Sequence, residues 1–347
     1  MYNNRIVQSD MKEIVESEID FSCLKDKTVL ITGANGMLAS YYMYVLMYLN
    51  DYRKMNIKIY ALVRNVQKLE KITAFSKRKD IRAVKKDVCE KIDIEDKIDY
   101  IIHMASSANP KTIIKDPIGI IKANVDGTFN ILELAKKNNS RVIFTSTREI
   151  YGEMPSGINE IMEEDMGVLN HLTLRSCYPE SKRMAENILV SYSYQYNVDY
   201  QIARIAHVYG PGMIIDGDGR IMSDLIEAIV NKKDIVLKST GEAKRSFCYI
   251  TDAIKALYLI TLDKNRNQVY NVANETETIS IKDLACELIN WYKGRNIKLK
   301  FDIKDEKDKY VSFKRTKLNT NKLELLGWNP EINLKDGINR TINYFEN

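Results

Sequence analysis

Over its first two hundred residues the chain alternates short apolar runs with longer segments in which apolar positions recur at helical spacing. The runs at 28–32, 57–63, 100–103, 141–145 and 199–204 predict strands, and the segments at 37–50, 124–137 and 179–196 predict helices. That rhythm predicts an α/β architecture, a doubly wound parallel sheet with helices on both faces. After Gly210-Pro211-Gly212 the rhythm changes to helix patterns at 220–231, 252–262, 280–293 and 334–345 separated by short strands. These predict a smaller α/β lobe on the C-terminal side, set over the sheet's carboxyl edge. A charged, helix-like segment at 10–20 marks an N-terminal extension, 1–26. The main unit is expected over 27–204, with 246–275 returning to it, and the lobe over 205–245 and 276–347.

One stretch, 28–49, carries no charge and is long enough to cross a bilayer. Gly33-Ala34-Asn35-Gly36 divides it into a strand and a buried helix, and the charged segment before it is no signal peptide, so no membrane is expected. A chain of 347 residues that is 45% hydrophobic can bury a full core. Its 52 basic residues against 47 acidic ones are scattered, which argues against nucleic acid and suits a phosphorylated small ligand. The five cysteines have neither zinc nor disulfide spacing, so no metal is expected and a reducing cytoplasm is.

The candidate chemistry begins where the first strand meets its helix. Gly33, Asn35, Gly36 and Met37 form a small-residue turn that lets backbone approach a pyrophosphate at the positive end of a helix, so a dinucleotide is expected there. At the end of the second strand stands Arg64 and no acid, which points from NAD toward the 2′-phosphate of NADP. Asp87 and Val88 are expected at the adenine, with Met104 and Ala105 lining the fourth strand's end.

Tyr178 and Lys182 share one helical face at i and i+4. An ammonium there lowers the phenol's pKa and makes a base for a sugar hydroxyl, and both groups are expected to touch the cofactor as well. The strand at 141–145 runs into Ser146-Thr147-Arg148-Glu149, where an extended backbone would place Thr147 and Glu149 on one face. Thr147 is then a hydrogen-bond donor to substrate or Tyr178, and Glu149 an acid or base at a neighbouring carbon. His103 and His171 are read as structural or surface residues.

Taken together the chain resembles the extended short-chain dehydrogenase/reductases, the nucleotide-sugar epimerase/dehydratase family with its Rossmann-type sheet. The likeness rests on the TGxxGxxA turn, Ser-Thr-x-Glu-x-Tyr-Gly, Tyr-x-x-x-Lys, Tyr209-Gly210-Pro211-Gly212, the segment GEAKRSFCYITD and Leu326-Gly327-Trp328-Asn329-Pro330. It implies catalytic roles for Thr147, Glu149, Tyr178 and Lys182, a retained and recycled NAD or NADP, a nucleotide-diphosphate sugar substrate, and a homodimer. In that dimer the helices carrying Phe129, Leu132, Ile188, Tyr192 and Tyr196 pair across a two-fold axis. Substrate contacts implied are Arg148, His207, Arg220, Arg245 and Arg315, with Arg245 and Arg315 on the diphosphate.

Within the family the chain is most similar to UDP-glucuronate decarboxylases, which implies oxidation at carbon 4 followed by loss of carbon dioxide. It departs from them where Gly212 replaces an arginine and Arg148 a serine. A 4,6-dehydratase is the second reading and a 4-epimerase the third. An idle nucleotide-binding scaffold would have no need to keep Thr147, Tyr178 and Lys182 together, and all three are present.

Overall fold

The computed structural model describes residues 1–303 and 316–346. Seven strands form its main sheet: β1 (Thr28–Thr32), β2 (Lys58–Val63), β3 (Ile81–Lys85), β4 (Tyr100–His103), β5 (Arg141–Thr147), β6 (Asp199–Ile205) and β7 (Gln268–Val272). They lie in the order β7-β6-β5-β4-β1-β2-β3, every pair parallel. The order reverses at β1, which sets the topological switch point at the carboxyl ends of β1 and β4, where Thr32 pairs with His103. The five strands expected from apolar runs are all present. The two edge strands are less legible, because β3 is only partly buried and charged residues interrupt it, and Asn271 and Gln268 interrupt β7.

Helices α1 (Arg5–Val15), α2 (Met37–Arg53), α3 (Val66–Thr73), α4 (Pro110–Lys115), α5 (Pro117–Asn138) and α6 (Cys177–Tyr196) fall in the first part of the chain. Helices α7 (Ile221–Val230), α8 (Ile250–Leu262), α9 (Ile281–Trp291) and a last helix, Leu334–Glu346, follow. The uncharged stretch resolves into β1 and α2. Helix α2 is buried nearly all round because α1 and α8 cover the side that the sheet does not. Its tyrosine hydroxyls stay paired there: Tyr41 donates to Asp10, Tyr42 to Thr261 and Tyr44 to the Ile72 carbonyl. No described helix is long and apolar enough to cross a membrane.

Two boundaries shift from expectation. The N-terminal helix spans Arg5–Val15, started by Asn4, whose side chain accepts from Ile6 N–H. Its Val7, Met11 and Ile14 are wholly buried, so it belongs to the core. Helix α5 starts at Pro117, two turns before 124, since Asp116 caps Gly119 N–H and proline suits the first turn.

Beyond the sheet, strand Ile235–Leu237 pairs with Leu299–Phe301, and α7 and α9 pack beside them. The Leu-Gly-Trp-Asn-Pro tail is an anchor. Trp328 Nε1 donates to the Asp252 carbonyl (2.9 Å), and the buried Asp252 carboxylate accepts from Glu331 and Ile332 N–H (both 3.1 Å).

Candidate active site

At the end of β1, Gly33 holds φ +64° and lies so close to the next strand that a Cβ would sit 2.9 Å from the Met104 oxygen and the Ala105 Cα. Thr32 Oγ1 accepts from the N–H groups of Met104 (3.0 Å) and Ala105 (3.1 Å), which locks the turn onto the end of β4. With both of those bonds accepted, the Thr32 hydroxyl hydrogen goes to His103 Nδ1 (2.9 Å). His103 Nε2 then carries the proton and donates to Thr128 Oγ1 (3.2 Å). Burial, and secondly the charge of Lys182, push the His103 pKa down to about 3, so the ring is neutral and structural. His171 is exposed.

Gly36 caps α2 without a side-chain bond, so the first N–H groups of that helix, from Met37 onward, are free of side-chain acceptors. Asn35 Nδ2 donates to the Asn65 carbonyl (2.7 Å). Asn35 Oδ1, Ser106 Oγ and Ser146 Oγ are buried with no hydrogen-bond partner among the described residues. Unsatisfied polar atoms along this edge, beside an uncapped helix start, fit a dinucleotide whose pyrophosphate and ribose would complete them. Arg64 is exposed and pairs with Asp87 at 3.5 Å. The Val88 side chain is buried against Gly127 of α5, where an added Cβ would meet it at 2.9 Å, and its carbonyl accepts from Asn130 Nδ2 (3.0 Å).

Strand β5 continues to Thr147, and the chain then turns through one 3-10 helix, Arg148–Tyr151, instead of staying extended. The expected sharing of a strand face by Thr147 and Glu149 is thereby corrected. Thr147 Oγ1 caps the turn by accepting from Glu149 N–H (3.2 Å), and the turn swings the Glu149 side chain toward α6. There Arg175, in the turn Leu174–Ser176 just before α6, donates from Nη2 to both carboxylate oxygens (2.7 and 2.8 Å). Burial pushes Glu149 above the usual carboxylate range, while Arg175 and then Arg148 pull it back.

Tyr178 and Lys182 are 5% and 3% exposed on the first turns of α6. Lys182 Nζ donates to the Thr145 carbonyl (2.7 Å) and lies 4.3 Å over the Phe144 ring, and burial brings its pKa down to about 7. The Tyr178 phenol, expected to be lowered by Lys182, is instead raised. Burial comes first and the Glu149 carboxylate second, and both outweigh the Thr147 hydroxyl and the Arg175 and Arg220 guanidiniums that favour the phenolate. Thr147, Glu149, Arg175, Tyr178, Lys182 and Arg220 therefore meet at the carboxyl end of β5. Once ionised, the Tyr178 phenolate can accept a hydroxyl proton there, and the clamped carboxylate can exchange a second proton at a neighbouring carbon.

The remaining substrate candidates lie around this centre. Arg148 donates to the Thr316 carbonyl (3.1 Å). Arg220 pairs with the buried Asp218, which also accepts from Ser223 (3.1 Å) and whose carbonyl accepts from Asn109 Nδ2 (3.1 Å). Asp218 thus ties the loop that carries Arg220 to the segment after β4. His207 adopts φ +48°, its carbonyl accepting from Cys248 N–H. Arg245 stands on a two-residue strand paired with Ile279–Ser280. Arg315 falls outside the described residues. Arg175, Asp218 and Asn109 were missed in the sequence. For Arg175 the signal was its place three residues before Tyr178.

The profile of the NAD dependent epimerase/dehydratase family matches residues 29–273. UDP-glucuronic acid decarboxylase 3 of Arabidopsis thaliana is 31% identical over 319 residues, 91% of this chain and 88% of that protein. UDP-glucuronic acid decarboxylase 1 of Xenopus tropicalis is 31% identical over 333 residues, 94% of this chain and 74% of that one. Among solved structures, UDP-glucuronic acid 4-epimerase from Bacillus cereus, in complex with UDP-glucuronic acid and NAD, superposes with a TM-score of 0.76. It is 21% identical and the match covers 92% of this chain and 99% of that one, a likeness of fold.

Proposed function

Since the chain belongs to the NAD dependent epimerase/dehydratase family, we propose that it decarboxylates UDP-glucuronate by way of a transient ketone at carbon 4. The observation that carries this reading is a carboxylate, Glu149, set among guanidiniums beside the Tyr178 phenol, where a second proton can be handled next to the oxidised carbon. Bound NAD or NADP supplies a hydride acceptor and returns the hydride, so it is retained and recycled. Tyr178 takes the carbon-4 hydroxyl proton, Thr147 orients that hydroxyl, and Lys182 stabilises the charge that develops on the phenol oxygen. The group that takes this proton is the Tyr178 phenolate, which burial and Glu149 oppose and which Thr147, Arg175 and Arg220 favour.

With carbon 4 a ketone, the bond from carbon 5 to the carboxylate breaks, its electron pair is drawn toward the ketone oxygen, and carbon dioxide departs. Glu149 manages the proton that carbon 5 then gains. Arg148 suits an acidic sugar, and Arg220, Arg245, Arg315 and His207 are assigned to the rest of the sugar diphosphate. Arg64 favours NADP. Residues 27–204 with 246–275 serve the dinucleotide, residues 205–245 and 276–347 the substrate, and 1–26 form the extension. The protein works as a homodimer in the cytoplasm, where its free thiols stay reduced.

Dehydration is the second reading, because Glu149, whose burial is opposed by Arg175 and Arg148, is also placed to remove a carbon-5 proton. Mass spectrometry of products from a panel of UDP, GDP, CDP and dTDP sugars separates the two. Loss of carbon dioxide from UDP-glucuronate supports decarboxylation, loss of water from a neutral sugar supports dehydration, and an unchanged mass overturns both.

A further inference from the structure

Arg175 meets Glu149 in an unusual way. Both carboxylate oxygens sit on the single nitrogen Nη2, while Nε, on the same edge of the guanidinium, is buried with no acceptor among the described residues. A pair that merely fastened β5 to α6 would use the whole fork, since two parallel N–H bonds are the stronger arrangement. That fastening is already made by Arg183 of α6, which donates from Nε to the Ile150 carbonyl (2.6 Å) and from Nη2 to the Gly167 carbonyl (3.0 Å). The Arg175–Glu149 contact is therefore surplus to docking, and it joins the end of β5 to a point three residues ahead of Tyr178.

We propose that Arg175 is a positioning residue: its ion pair fixes the direction and charge of the Glu149 carboxylate, and its Nε is kept for an oxygen of the sugar beside carbon 5. The inference rests on the carbon-5 chemistry proposed above. Among the described residues, the charged and titratable groups facing Glu149 are Arg148 from its own turn, Arg175 from the turn before α6, and Tyr178 from α6. Without Arg175, burial is opposed among the described residues by Arg148 alone, and Glu149 holds its proton to higher pH.

The test uses the full chain with Arg175→Met and Arg175→Lys, alone and combined with Glu149→Gln, with thermal melting and cofactor retention as fold controls. Arg175→Met is expected to slow the step after oxidation on the order of a hundredfold, with reduced cofactor accumulating and the first hydride removal little changed. The limb of the pH–kcat profile that Glu149→Gln abolishes should move to higher pH. Arg175→Lys should recover part of the rate, because it restores the charge and not the planar fork. Combined with Glu149→Gln, Arg175→Met should add little further loss to kcat.

An unmoved pH limb, equal loss of hydride removal and turnover, or fully additive losses would overturn the positioning role. Should Arg175→Met fail to fold, the pH limb of Arg175→Lys decides the matter: a limb at the wild-type position, with wild-type kcat, counts against the proposal. Wild-type protein that changes the mass of no sugar nucleotide removes the functional reading and this inference together. Wild-type protein that releases carbon dioxide while Arg175→Met matches it removes the inference alone.

Discussion

Acidification should unfold this protein in part through one ring. His103 is 2% exposed, bridges Thr32 of β1 and Thr128 of α5, and has its pKa depressed from 6.5 to about 3 by burial and by the Lys182 charge. The folded state thus prefers the neutral imidazole. Stability from this group is complete above pH 6.5 and is lost as pH falls, because the unfolded chain takes up a proton that the folded one refuses. At about pH 4.5 the unfolded ring is two units below its own pKa and the folded ring is still neutral, which at about 1.36 kcal/mol per unit costs roughly 2.7 kcal/mol. That is a large share of the roughly 5–15 kcal/mol typical of a folded domain.

His103→Gln keeps an acceptor for Thr32 and a donor for Thr128 but does not titrate. Urea unfolding of wild type and variant at about pH 7 and pH 4.5 isolates the term, since other acid-sensitive carboxylates such as Asp80 and Asp218 are common to both. The variant should lose about 2–3 kcal/mol less than wild type over that interval. Equal losses would show that His103 is charged or solvated in the folded protein, and the neutral bridge would be wrong.

Tyr178→Phe removes only the phenol oxygen from a site that is otherwise packed, so turnover should fall on the order of a thousandfold while melting temperature and cofactor content stay near wild type; full activity would remove the redox mechanism. Arg64→Ala should narrow any preference for NADP over NAD by about 1 kcal/mol in titration calorimetry, a modest figure because Arg64 is exposed and already paired with Asp87. Protein purified with NAD alone, or equal affinities before and after the change, would rule that contact out. Light scattering should give a dimer at micromolar concentration, because Phe129, Tyr192 and Tyr196 form an aromatic cluster on α5 and α6 with Phe129 44% and Tyr196 40% exposed. A monomer would mean those rings face water.

The sequence by itself determined the order and type of the central elements, because the inner strands are mostly apolar runs and the turn after β1 is marked by small residues. Gly33 is one such mark: its positive φ and its approach to Met104 and Ala105 admit no side chain, so the dinucleotide turn was written in the residues themselves. The i,i+4 spacing of Tyr178 and Lys182 was equally local. What proximity would do to them was not. Burial, a property of the whole packed site, raised the phenol that the nearby ammonium was expected to lower, and it brought the ammonium to about 7. The outward faces of α5 and α6 were also only half legible: Leu132 and Ile188 turn into the core while Phe129 and Tyr196 stay at the surface. The partner of Glu149 lay furthest from view. Spacing along a strand could not place Arg175, twenty-six residues later, on that carboxylate, because the contact exists only after the 3-10 turn at 148–151 rotates one side chain and the docking of α6 delivers the other.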